Sequence, residues 1–544
     1  MRKLSLFVSF TSVALILSAC TSESATKEKS TEKDAQQTIY YSAPTEIATL
    51  DSVLIEDVNS ANYFSHTVVG LLKINEDGEP EPAIAEKMAD ISEDGLTYTF
   101  KLRDDAVWSN GEPVTAHDFV FAWQRLVDPA SSSSYAYLAE TIQHAPEIMT
   151  GEKEPEELGV QAMNDYELKI ELSQPTPYFN SLMAFSAFLP QNEAFVEEQG
   201  NNYGTSSETI LANGPFTMED WDGTGLTWNL VKNDDYYAAD DIQIDAIDVQ
   251  VLKETSTAVN LFENGEVDNA QVTGELAKAY KDDPNAVIQE KARTSYLEFN
   301  FQKDYFKNDN LRKAIASVLD HKELANSVIG DGSSAIEGFL PENFVKNPET
   351  GEDFTDETTD YIDYDVTKAK DYWNKAKDEL NLSSLTLSFV GDDDEKSKKI
   401  SEYIQGQIQN NLNGVNVQLR NVPKKNRLEF SEKGEFDLLL TGWGADFRDP
   451  INFMELLYST SAYNRGGYAD EEFDTLVDKA KKEDANDENA RWKDLVEAHD
   501  IALEQTAVVP LYQEVEVQLR NPDLKGINLQ PVGDEFDLSD AYFD

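Results

Sequence analysis

Cysteine is almost missing from this chain. Its 544 residues hold a single one, Cys20, so no internal disulfide can form and no paired-thiol chemistry is available. Positive charge is scarce as well. Lys and Arg number 45 against 103 Asp and Glu, a net charge of −58. Such a surface repels phosphate backbones, which excludes nucleic acid as a partner, and it offers no basic patch for anionic lipid. The acidic excess reads first as a well-solvated surface; the alternative is attraction of cationic ligands. Enzyme signatures are absent too. There is no glycine-rich phosphate loop ending in Lys-Ser/Thr, no G-x-S-x-G and no H-E-x-x-H. The five histidines, His66, His117, His144, His321 and His499, are not spaced as zinc ligands. Each reads as a surface or structural histidine, although a metal site assembled from scattered residues stays open. No cofactor is called for. Asp446 and Asp449 could form a catalytic carboxylate dyad, but with 103 acidic residues such pairs arise by chance.

What is present is ordinary globular composition, 40 % hydrophobic and 10 % aromatic, in a chain long enough for two to four domains at ~100–200 residues each. The start is distinctive. Met1-Arg2-Lys3 precedes an apolar run over residues 4–17, too short for a membrane span but suited to a signal peptide. The run ends Leu17-Ser18-Ala19-Cys20, which resembles a bacterial lipobox, a signal whose cysteine is lipidated and becomes the new N-terminus. The other reading is an ordinary secretory signal with an incidental cysteine. Residues 21–38 are polar without apolar period and read as a flexible tether.

Beyond the tether, short β-type runs alternate with helical patterns, the sign of α/β layers. Residues 242–252 alternate as a strand, and so do Val415, Val417 and Leu419. Thr115 reads as an N-cap with Asp118 three residues on, before a helix that ends at Asp128-Pro129. Leu311, Ile315, Val318 and Leu319 fall on one helical face. Val508, Val509 and Leu511, then Val515, Val517 and Leu519, suggest two late strands. Residues 391–399 read as loop or helix-start charge.

One stretch asks for explanation, TGWGADFRDP over residues 441–450. It follows an apolar run, 436–440, expected to be a buried strand ending at the carboxyl edge of a sheet, where ligands of open α/β folds bind. Gly442 and Gly444 let a ligand backbone come close, and Trp443 offers an apolar wall. Asp446 is an acceptor-only carboxylate in a sheltered place, which demands a positive partner. Either Arg448 supplies it, or a ligand ammonium does.

GWGADFRDPINF, with YNRGGYADEEFDTLVDKA downstream, resembles the solute-binding proteins of oligopeptide ABC importers. So do residues 104–129, 213–221, 255–270 and 295–324, in the family's order and covering the chain from about residue 38. The resemblance implies an α/β, two-lobed periplasmic-binding-protein-like fold with a hinge and an additional third domain. Its first lobe would comprise 39–74, 215–295 and 515–544, the additional domain 75–214, and the second lobe 296–514. It implies a monomeric, non-enzymatic receptor, held on the extracytoplasmic face of a cell membrane through its lipid anchor, in a bacterium of Gram-positive type. The receptor would hand oligopeptides to a membrane ABC permease with its ATPase subunits. Asp446 would receive the peptide α-ammonium, and the backbone of Gly442 and Gly444 beside Trp443 would pair with the peptide main chain. Glu56, Tyr135, Tyr296 and Asn464 match further binding positions, with hinge or core packing as their alternative. Two departures are visible: Leu440 stands where some relatives carry a basic residue for the peptide carboxylate, and Gly444 where some carry cysteine. The first leaves peptide length open. A signalling-peptide receptor on this scaffold, a relative binding nickel, haem or a sugar, and a cell-surface hydrolase remain the competing readings.

Overall fold

A computed structural model describes residues 37–76, 78–359, 361, 363–461 and 463–544. The proposed signal peptide, Cys20 and nearly all of the tether lie outside the described residues. The last tether position, Thr38, already belongs to a strand.

An eleven-stranded sheet forms the frame. Its strands in chain order are β1 (Thr38–Ala43), β2 (Phe216–Glu219), β3 (Thr227–Lys232), β4 (Ala246–Val251), β5 (Asn269–Val272), β6 (Ala286–Phe299), β7 (Ser334–Ala335), β8 (Leu385–Asp392), β9 (Val415–Val422), β10 (Leu438–Gly444) and β11 (Val508–Arg520). In space they run β9-β8-β10-β6-β11-β5-β1-β4-β3-β2, with β7 against β11. The sheet has two parallel clusters, β9-β8-β10 and β5-β1-β4. Joining them are the two longest strands, β6 and β11, which pair antiparallel with each other. β6 continues into the first cluster through β10, and β11 into the second through β5.

One buried cluster gathers Leu311, Ile315, Leu387, Ile404, Leu438 and Val509; a larger one includes Ile39, Ile247, Phe100, Phe119 and Trp123 and extends to Phe453 and Leu495. The two parallel clusters of strands, joined by two long strands, agree with the two-lobed α/β fold that the sequence leads one to expect. A separate four-stranded sheet, Asp90–Ile91, Thr97–Lys101, Glu167–Glu171 and Val160–Asn164 in spatial order, belongs to the larger buried cluster. The helix Ala116–Val127 joins the same buried cluster through Phe119, Ala122 and Trp123. At its start the Thr115 amide and hydroxyl both donate to Asp118, at 2.7 and 3.0 Å. Arg125 of this helix pairs with buried Asp51 at 2.9 Å, tying it to the segment after β1. Among the described residues no helix is long and apolar enough to cross a membrane.

Two strand expectations need correction. The late apolar runs form one strand, β11, rather than two. β10 does not stop at Leu440; it starts at Leu438 and runs through Gly442-Trp443-Gly444. In both cases a long neighbour, β6, holds the backbone extended across residues whose own propensity would end a strand.

Candidate functional site

The register of β10 determines which of its backbone groups are spoken for. The amide of Asn300 donates to the Asp437 carbonyl, and the amide of Ala445 to that of Ala292. Both pairs keep the register of β6 on β10, in which Arg293 faces Gly444 and Tyr296 faces Thr441. In an antiparallel ladder only alternate pairs exchange hydrogen bonds. The odd-numbered residues of β10 therefore bond to β6, and the even-numbered ones point their N–H and C=O groups away from it. Leu438 meets β8 there, but pairing with β8 ceases after Leu439. Gly442 and Gly444 are left with main-chain donors and acceptors on an open edge. A Cβ on Gly442 would lie 3.1 Å from the Thr294 carbonyl and 3.0 Å from an Arg293 nitrogen, so the close approach of β6 leaves a side chain there little room.

This edge lines a cavity of about 940 Å³, whose walls include Glu56, Tyr135, Tyr296, Gly442, Trp443, Gly444 and Asp446. Seven of the eight residues singled out in the sequence thus face one space. The eighth, Asn464, does not line it. Its side chain donates to the Leu457, Tyr458 and Tyr468 carbonyls and accepts from the amides of Gly467 and Tyr468. It organises the loop, and its neighbours Tyr463 and Arg465 reach the cavity instead.

Asp446 sits among aromatic rings. The Tyr137 hydroxyl donates to its carboxylate at 3.0 Å. Tyr463 lies 5.5 Å from Tyr137 and 5.1 Å from Trp443, centroid to centroid. Tyr135 lies 6.2 Å from Tyr137. Asn452 fixes the loop, accepting from the Trp443 indole at 2.8 Å and the Asp446 amide at 3.3 Å. Burial pushes the Asp446 carboxyl up to about 6, against the opposing hydrogen bonds of Tyr137 and Asn452. Among the described residues no basic side chain forms an ion pair with it. Arg448, the internal partner weighed above, lies 3.7 Å from Glu79 instead. Asp449 is committed elsewhere, in a buried two-point pair with Arg491 at 2.7 and 2.8 Å. Asp446 and Asp449 accordingly do not face a common substrate as a dyad would.

The remaining residues fall into place around this centre. Exposed Glu56 accepts a hydrogen bond from Ser134, next to Tyr135. Tyr296 is buried edge-on against Phe339, 5.0 Å away. The cavity's cations are mostly paired: Arg293 with Glu514 at 3.1 Å, Lys291 with Glu535 at 2.7 Å, Lys396 with Asp331 at 2.9 Å and Arg427 with Asp392 at 3.0 Å. His66, His321 and His499 are buried, each with a ring nitrogen on a backbone partner. The sequence reading missed Tyr137 and Tyr463. The signal was present in the second tyrosine of SSSYAYL and in the tyrosine before Asn464, one or two positions from the residues chosen.

A family model described as bacterial extracellular solute-binding proteins, family 5 Middle, matches residues 79–465. The dipeptide-binding protein of Lactococcus lactis subsp. cremoris is 33 % identical over 522 residues, 93 % of this chain and 94 % of that protein. The solved structure of Listeria monocytogenes OppA bound to peptide superposes with a TM-score of 0.80 at 37 % identity, covering 94 % of this chain and 99 % of the other. The pheromone receptor PrgZ, solved for its mode of peptide binding, gives a TM-score of 0.81 at 33 % identity, covering 94 % and 100 %.

Proposed function

The chain belongs to the bacterial extracellular solute-binding proteins, family 5, and we propose that it captures oligopeptides outside the cytoplasm and delivers them to an ABC import permease. One observation carries this reading: Asp446, a sheltered carboxylate with no basic partner among the described residues, stands at the end of an open main-chain edge. A peptide lies along Gly442 and Gly444 as an added strand, and its α-ammonium rests on Asp446. Since β10 runs toward Asp446, the peptide runs antiparallel to it. Main-chain pairing gives affinity with little dependence on side chains, and the rings around Asp446 favour a cation.

The rest of the assignment follows the same reading. Cys20 carries the lipid that holds the protein to the outer face of a membrane. Residues 39–74, 215–295 and 515–544 form the first lobe, 75–214 the additional domain and 296–514 the second lobe. The lobes close over the peptide by hinge motion. The protein acts as a monomer and performs no chemistry on its cargo.

Calorimetric titration with mixed four-to-eight-residue peptides, free and N-acetylated, tests the reading. Acetylation removes the ammonium alone. Free peptides are expected to bind and acetylated ones not. Loss of one partner of a buried charge pair costs ~3–5 kcal/mol, so Asp446→Ala is expected to weaken binding by roughly a hundredfold or more. Equal binding of both pools would dismiss amine recognition, and a change below about threefold in the variant would place the ammonium elsewhere. The likeness to a pheromone receptor keeps a signalling cargo as the second reading; competition between one hydrophobic peptide and the mixed pool separates the two. Cleavage of the peptides, followed by mass spectrometry, would reveal a hydrolase.

A further inference from the structure

Two cavities meet at Asp446. Besides the large one there is a small one of about 110 Å³, and both are lined by Phe185, Asp446, Pro531, Gly533 and Asp534. The walls of the small cavity are largely apolar, with Val68, Leu72, Leu189, Phe447, Val532 and Phe536 among them. At its junction with the large cavity stands a second carboxylate, Asp534. Among the described residues Asp534 forms no ion pair; burial raises it to about 7, a hydrogen bond with Ser65 opposes the rise, and the neighbouring carboxylates of Asp537 and Glu535 add to it. The basic side chains of the small cavity are engaged: Lys73 lies 3.3 Å from Glu81 and Arg448 3.7 Å from Glu79. His66 is held neutral by burial, its Nε2 accepting from the Leu538 amide at 3.0 Å.

The reading of Asp446 as the α-ammonium receptor, on which this inference rests, fixes what meets the junction of the two cavities. The first Cα of the peptide is one bond from the amine, so the first side chain emerges where the two cavities join. An apolar wall at the junction beside a carboxylate with no cationic partner among the described residues suits a side chain with a long methylene stem and a cationic head. A neutral side chain there would leave the sheltered Asp534 carboxylate with the Ser65 hydrogen bond alone and no cation. We propose that Asp534 is a specificity-determining residue that selects peptides beginning with lysine or arginine, the stem lying along the apolar wall where the two cavities join and the head on its carboxylate. The net charge of −58 then has a use beyond solubility, since it draws such cationic peptides toward the protein.

The test is titration of the protein with two peptides identical except at the first residue, lysine in one and norleucine in the other. Norleucine keeps the stem and lacks the charge. The lysine peptide is expected to bind about tenfold or more tightly, a difference of ~1.4 kcal/mol. In Asp534→Asn the preference is expected to vanish while the norleucine peptide binds within about threefold of its original affinity. Equal binding of the two peptides by the unaltered protein would overturn the inference and leave the peptide receptor standing. Retention of the preference in Asp534→Asn would overturn it as well, by moving the selection to another residue. If neither peptide bound, the peptide-receptor reading would fall and this inference with it.

Discussion

Asp446 is a sheltered carboxylate that meets hydroxyl and amide groups but no cation among the described residues. Its carboxyl is raised from 3.8 to about 6 because burial penalises its charge more than Tyr137 and Asn452 relieve it. A folded-state value above the unfolded one means that the fold favours the protonated form. The associated stability is fully present below about 3.8, declines through the interval and is lost above about 6. Asp446→Asn is therefore expected to stabilise the empty protein above pH 6 by at most ~3 kcal/mol, and to have no effect near pH 4. Thermal unfolding of both proteins across that range checks the sign. Ligand capture has the opposite dependence, because the ammonium needs the ionised carboxylate: affinity is expected to fall as the pH drops below about 6. The need for a partner at Asp446 was legible from the sequence, since an acceptor follows glycines and a tryptophan at a sheet edge. The hydroxyl that meets it was not, because Tyr137 and Asp446 are 309 positions apart.

Among the elements, β10 carries the site. Its two glycines do different things. Gly442 faces Ser295 in a pair that exchanges no hydrogen bonds, where strands approach most closely. An added methyl would press on the Thr294 carbonyl, which cannot swing aside as a side-chain tip can. Gly442→Ala is expected to cost ~1–3 kcal/mol in stability and to weaken peptide binding by parting β6 from β10. Gly444 has its nearest neighbour at 3.5 Å, so Gly444→Ala is expected to stay within ~0.5 kcal/mol. Denaturant unfolding of the two variants distinguishes them, and equal losses would contradict the geometry. Regular elements were readable where pattern and packing agree, as in the capped helix Ala116–Val127, in β9, and in Asp394 capping the helix Glu395–Asn411. They were misread where a partner strand overrides local preference. Glycines at 442 and 444 suggested a strand's end, and the break in pattern between Leu511 and Val515 suggested two strands. Non-local pairing with β6 decided both.

At the scale of the whole molecule, two parallel clusters of strands share one sheet, and β6 and β11 join them. Capture across a cavity of about 940 Å³ is expected to bring the ends together. Small-angle scattering should then show a smaller radius of gyration with free peptide and no change with the acetylated one. An unchanged radius in a peptide that binds would mean that recognition proceeds without closure. Salt gives a second handle at this scale, because the field of −58 charges is screened within ~8–10 Å at physiological ionic strength.

A sheet of card folds where it has been scored, and this sheet carries a score. The ladder between β6 and β11 breaks from Glu290 to Thr294 and slips again at Ser295 to Tyr296. Lys291, Ala292 and Arg293 have no ladder partner on β11, so turning at that line breaks no backbone ladder and only strains side-chain contacts such as Gln513 on the Lys291 carbonyl and Glu514 on Arg293. The same three residues line the cavity. Cargo held in that cavity would lie on the fold line itself. A variant with the ladder made continuous there would still recognise a peptide's end, yet would have lost the line along which it can shut.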